Sequence, residues 1–76
     1  MYKTGDILKN GYTVVIANEE AVIGLNKSQT QYCTWSLNDT GDTFWGHYFS
    51  FDIYSDLYQA EALELALAQF NLKTER

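Results

Sequence analysis

Two aromatic-rich runs split by Asn38-Asp39-Thr40-Gly41-Asp42 constrain this chain more than any other feature. Residues 31–37 (QYCTWSL) and 43–51 (TFWGHYFSF) are dense in aromatic side chains, which fit a pleated surface. The segment between them holds the Asn, Asp and Gly that bond to their own backbone or tolerate left-handed geometry. A three-residue loop Asp39-Thr40-Gly41 with glycine last makes the two runs a hairpin, with Asn38 facing Asp42. That register predicts Trp35 opposite Trp45, Cys33 opposite His47, Tyr32 opposite Tyr48 and Thr34 opposite Gly46. Alternation then gathers Cys33, Trp35, Trp45, His47 and Phe49 on one face, and Tyr32, Phe44 and Tyr48 on the other. Only one face can lie wholly against the core of so small a protein. Trp35 and Trp45 are therefore read as core, and Tyr32, Phe44 and Tyr48 as the set pointing away from the helix.

The remaining elements follow from local pattern. Gly5-Asp6 turns, Ile7-Leu8 is a brief apolar strand, and Asn10-Gly11 turns again. Residues 12–17 (YTVVIA) and 21–26 (AVIGLN) read as a second strand pair around Asn18-Glu19-Glu20, with Gly24 marking a bulge or a close backbone approach. Past residue 52 the period changes to that of a helix: Ala60, Leu63, Ala66, Leu67 and Phe70 share one stripe. Asp56 is its expected cap, with Gln59 completing a capping box and Ser55 competing, and Lys73 and Arg76 suit its far end. The expected fold is α+β: two hairpins and a lead-in strand form an antiparallel sheet of about four strands, packed on one C-terminal helix. It is a single domain over 1–76, with sheet in 1–51 and helix in 52–76.

Tyr58, Leu65 and Leu72 lie off the main stripe. This second apolar strip either covers the sheet edge or meets its own copy in a homodimer about a two-fold axis. With 76 residues and one cysteine, no intramolecular disulfide adds stability, so a dimer is a reasonable second source of burial.

Charge narrows the partners. Ten acidic residues against five basic give a net charge of −5, and the five cations are scattered. Direct nucleic-acid binding needs clustered Lys and Arg, so a protein with a basic surface is the better match. No apolar run is long enough to span a membrane and no charged-then-apolar leader begins the chain, so a cytoplasmic location is expected. One Cys and one His fall short of a zinc site, and Asp39 and Asp42 lack the ordered ligands of a calcium loop. No metal and no cofactor is expected. Cys33 and His47 form the sole candidate nucleophile–base pair, with no carboxylate to orient the base. A buried structural thiol explains Cys33 better, and the chain is read as no enzyme. The binding candidates are Tyr32, Phe44 and Tyr48 with Asp39 and Asp42 of the turn.

The stretch from Tyr32 to Phe49, with Thr34-Trp35, the turn Asn38-Asp39-Thr40-Gly41 and then Thr43-Phe44-Trp45-Gly46-His47-Tyr48-Phe49, resembles small uncharacterised proteins of bacterial phages and prophages. That resemblance implies a phage origin. It also implies a host-takeover or counter-defence role, such as an anti-CRISPR inhibitor of a host protein. A nucleotide-signal sponge using the aromatic hairpin and a structural or assembly factor are the other functions expected of such a chain.

Overall fold

The computed structural model describes residues 1–74. Four strands, β1 (Thr13–Ala17), β2 (Ala21–Leu25), β3 (Gln31–Leu37) and β4 (Thr43–Ser50), precede one helix, α1 (Gln59–Thr74). They form an antiparallel open sheet in the order β1-β2-β3-β4, and α1 packs across one face of it. The α+β architecture is the expected one. Local chemistry accounts for the turns. Asn18 Oδ1 accepts from the N–H groups of Glu20 and Ala21, and Asn38 Oδ1 accepts from those of Thr40 and Asp42. Gly41 takes φ +83°, the left-handed geometry this loop was expected to require, and Asn38 N–H reaches Asp42 O at 3.0 Å.

The helix departs from its expected limits. Asp52 accepts from Tyr54 N–H and Ser55 Oγ, which holds those residues in a side-chain-closed turn. The chain becomes helical only after Leu57, and Tyr58 rather than Asp56 holds the cap position. Glu61 Oε1 accepts from Tyr58 N–H, and Ala62 N–H gives the first helical bond to Tyr58 O. The buried stripe is correspondingly Ala62, Ala66 and Phe70, flanked by Leu63 and Leu67, and Ala60 is exposed. Arg76 lies outside the described residues. Small residues at 62 and 66 let α1 sit close to the sheet, and Thr34 Oγ1 donates to Ala66 O at 2.9 Å.

The sheet has a core on each face. Beneath α1 lie Ala21, Ile23 and Tyr32. On the other face Val14, Val22, Cys33 and Trp35 are covered by the lead-in through Leu8, Tyr2 and Tyr12. Ile7 makes one isolated bridge to Thr13, less than the expected strand. The lead-in also closes the outer edge of β1, with Gly5 N–H on Val14 O and Val14 N–H on Asp6 O. Gly24 is a close approach: a Cβ there would stand 2.9 Å from Tyr12 Cβ and 3.0 Å from Trp35 Cζ3.

The expected register of the β3–β4 hairpin holds only near its turn. Leu37 pairs with Thr43 and Ser36 with Phe44, but then Thr34 pairs with His47, Cys33 with Tyr48 and Tyr32 with Phe49. One extra residue in β4 sets Trp45 and Gly46 together against Trp35, a β-bulge. The slip moves every later side chain of β4 to the opposite face. Cys33 does not face His47, and Tyr32 does not face Tyr48. The reason is steric: a Cβ at Gly46 would lie 2.7 Å from Trp35 Nε1 and 3.1 Å from Cys33 Sγ, so the glycine belongs over the Trp35 ring.

Candidate site at the hairpin tip

Trp45 is the side chain the bulge ejects. Its φ of +54° is a left-handed value that such a bulge usually gives to glycine, and 76 % of the residue is exposed. A bulky residue held there stores strain of about 1–3 kcal/mol, which the surroundings must offset. Lys73 at the end of α1 supplies part of the support, donating from Nζ to Trp45 O at 2.9 Å and to Ser36 Oγ at 3.4 Å. Partial burial holds the Lys73 pKa below the usual lysine range. The Trp45 ring stands edge-on to its neighbour Phe44, centroids 5.0 Å apart. The sequence reading placed Trp45 in the core, and the structure places it outside.

The other candidates divide. Tyr32 is buried beneath α1, its hydroxyl accepting from Gln59 Nε2, so it is no surface contact. Tyr48 lies on the sheet face opposite Phe44, 58 % exposed, with its ring edge-on to Trp35 at 6.2 Å. Phe44, Asp39 and Asp42 are brought together at the hairpin tip, and all three are exposed. Asp42 lies 3.6 Å from Lys9 in a solvent-exposed ion pair that contributes little to stability. Beside the tip is an open cleft of about 710 Å³, with Glu19, Glu20 and Asp39 on its wall. Tyr2 anchors it, donating from its hydroxyl to Gly41 O. Four carboxylates thus border one end of the sheet, with the Phe44–Trp45 pair next along the strand. Leu65 and Leu72 are exposed on α1, and Tyr58 is exposed at its cap.

Cys33 is fully buried, and burial pushes its thiol pKa up to about 12. His47 belongs to the other sheet face, so the one nucleophile–base pair suggested by the sequence is not assembled. Among the described residues no three His, Cys, Asp or Glu side chains converge as metal ligands, and no helix is long and apolar enough to cross a membrane. Between pH 9 and 12 the unfolded chain releases the thiol proton while the folded chain keeps it. The contribution of the Cys33 thiol to stability is therefore complete below pH 9 and is lost progressively as pH rises toward 12. Burial raises Tyr12 as well, in the same direction at higher pH. Urea midpoints measured at pH 8 and 10 should fall for the wild type and fall less for Cys33→Ala.

Comparison with family models, with curated proteins and with solved structures finds no match.

Proposed function

We propose that this is a small acidic, non-catalytic binding protein whose hairpin tip docks on a basic surface of a host protein. The observation that carries the reading is Trp45, a large aromatic held outward at a strained bulge on the strand that leaves the acidic turn of Asp39 and Asp42. An exposed tryptophan supplies rigid contact area at small entropic cost, as at interface hot spots. The carboxylates of Asp39, Asp42, Glu19 and Glu20 add a field that steers a cationic partner. The resemblance of residues 32–49 to phage and prophage proteins supports a more specific form of this reading. In that form the partner belongs to host defence, and the chain inhibits it by covering a surface that otherwise holds nucleic acid.

Electrostatic steering gives a direct test. Association with the partner should slow about tenfold or more as salt rises from low concentration to roughly 0.5 M. Asp39→Asn with Asp42→Asn should slow association at low salt and flatten its salt dependence. Both residues are exposed, so the melting curve should stay within about 0.5 kcal/mol of wild type. Stopped-flow or surface-plasmon measurement checks this, and salt-independent association would count against the charge component.

A further inference from the structure

The two edges of the sheet are treated differently. β1 is closed by the lead-in, whereas among the described residues β4 has no strand beyond it. Phe51 N–H turns inward to Thr30 O, so by alternation Tyr48 and Ser50 present their backbone groups outward. Natural edges are commonly guarded by lysine or acidic side chains, yet residues 43–50 contain no Asp, Glu, Lys or Arg. Lys73 guards only the Trp45 end.

Above this edge runs an unpartnered line on the helix. Tyr58, Leu65 and Leu72 recur every seven residues, and all are exposed. α1 runs parallel to β3, since Gln59 bonds Tyr32, Thr34 bonds Ala66 and Lys73 bonds Ser36 in order. With Ala62, Ala66 and Phe70 turned to the sheet, right-handed winding carries Leu63 and Leu67 toward β1 and β2. The same winding carries the Tyr58–Leu65–Leu72 line toward β4. The centres coincide as well. Leu65 adjoins Ala66, which Thr34 bonds, and Thr34 pairs with His47 at the middle of the open edge.

We infer that the chain forms a homodimer through the outer edge of β4 and this helix flank, about one two-fold axis passing near Leu65 and Tyr48. Such an axis pairs β4 antiparallel with its copy and makes a continuous eight-stranded sheet. It also sets Leu65 against Leu65 and Tyr58 against Leu72, because the line is symmetric about its middle residue. Charge agrees with this antiparallel placement. The acidic start of one helix, with Asp56 and Glu61, lies beside the copy's end carrying Lys73, while the strand edges themselves are uncharged. The Asn38–Asp42 turns lie at opposite ends of such a dimer, so Asp39 and Asp42 stay open in both copies.

Sedimentation at micromolar concentration should show a dimer for the wild type. Leu65→Glu and Leu65→Lys, at a residue already 42 % exposed, should each raise the dimer dissociation constant about a hundredfold or more. Mixing the two should restore dimer, because only a residue that meets its own copy is rescued by its opposite charge. If both variants failed to fold, amide exchange of wild type would decide: Tyr48 and Ser50 should gain protection as concentration rises. A wild-type monomer, a dimer indifferent to both substitutions, no rescue on mixing, or concentration-independent exchange at those amides would each overturn the inference.

Discussion

Trp35→Ala is expected to leave the chain largely unfolded at 25 °C. Trp35 is 5 % exposed at the centre of the second core, edge-on to Tyr12 at 5.0 Å and to Tyr48 at 6.2 Å. Two glycines, Gly24 and Gly46, leave space for its ring, so two of the positions around it have no side chain that could relax into the hole. Removing a buried aromatic of this kind costs about 3–5 kcal/mol, and a cavity that cannot collapse lies at the upper end. A domain this small without disulfide support holds only about that much stability in total. Far-UV circular dichroism through a urea titration reads the result directly. A folded variant losing less than about 1 kcal/mol would mean that the lead-in face is not a true core.

The second tryptophan should behave in the opposite way. Trp45→Ala is expected to fold like wild type, within about 1 kcal/mol, because the residue is largely exposed and its loss leaves no buried hole. Trp45→Gly should be at least as stable as the alanine variant, since glycine adopts φ +54° without strain. Binding should respond otherwise: losing a hot-spot aromatic costs about 2–4 kcal/mol, a fall of about 30- to 1000-fold in affinity. Calorimetric titration against the partner, with melting curves of the same samples, separates the two effects. Near wild-type affinity for Trp45→Ala would remove the hairpin tip from the contact.

The same pair of residues shows how far the sequence could be read. The turn at Asn38–Asp42, the two hairpins and the presence of one C-terminal helix depend on neighbours within a few positions, and they are legible. The bulge is not, because it is decided by contacts between distant residues: Gly46 against Trp35, and Lys73 against Trp45 O. A signal was nonetheless present. Phe44-Trp45 and Tyr48-Phe49 are adjacent aromatic pairs that no strict alternation can place on one face, and an isolated glycine between them is a usual mark of a bulge. Missing it by one residue exchanged the faces of His47, Tyr48 and Phe49, and Trp45 was assigned to the interior. Tyr32 was misplaced for another reason. Both sheet faces are covered, one by α1 and one by the lead-in, and residues 1–12 carry too little periodic pattern to announce that role. The helix start moved because the side chain of Asp52 closes a turn, a local competition that a capping pattern alone does not resolve.

The most direct test is capture from a bacterial host lysate at low and high salt, with mass spectrometry of retained proteins and metabolites. Wild type, Trp45→Ala and the Asp39→Asn, Asp42→Asn pair would be compared, each confirmed as folded. The tip-docking account predicts one basic host protein held near stoichiometrically by wild type, released by salt, weakened by the double variant and lost with Trp45→Ala. The same protein retained equally by Trp45→Ala, or a small metabolite retained with no protein partner, would contradict it.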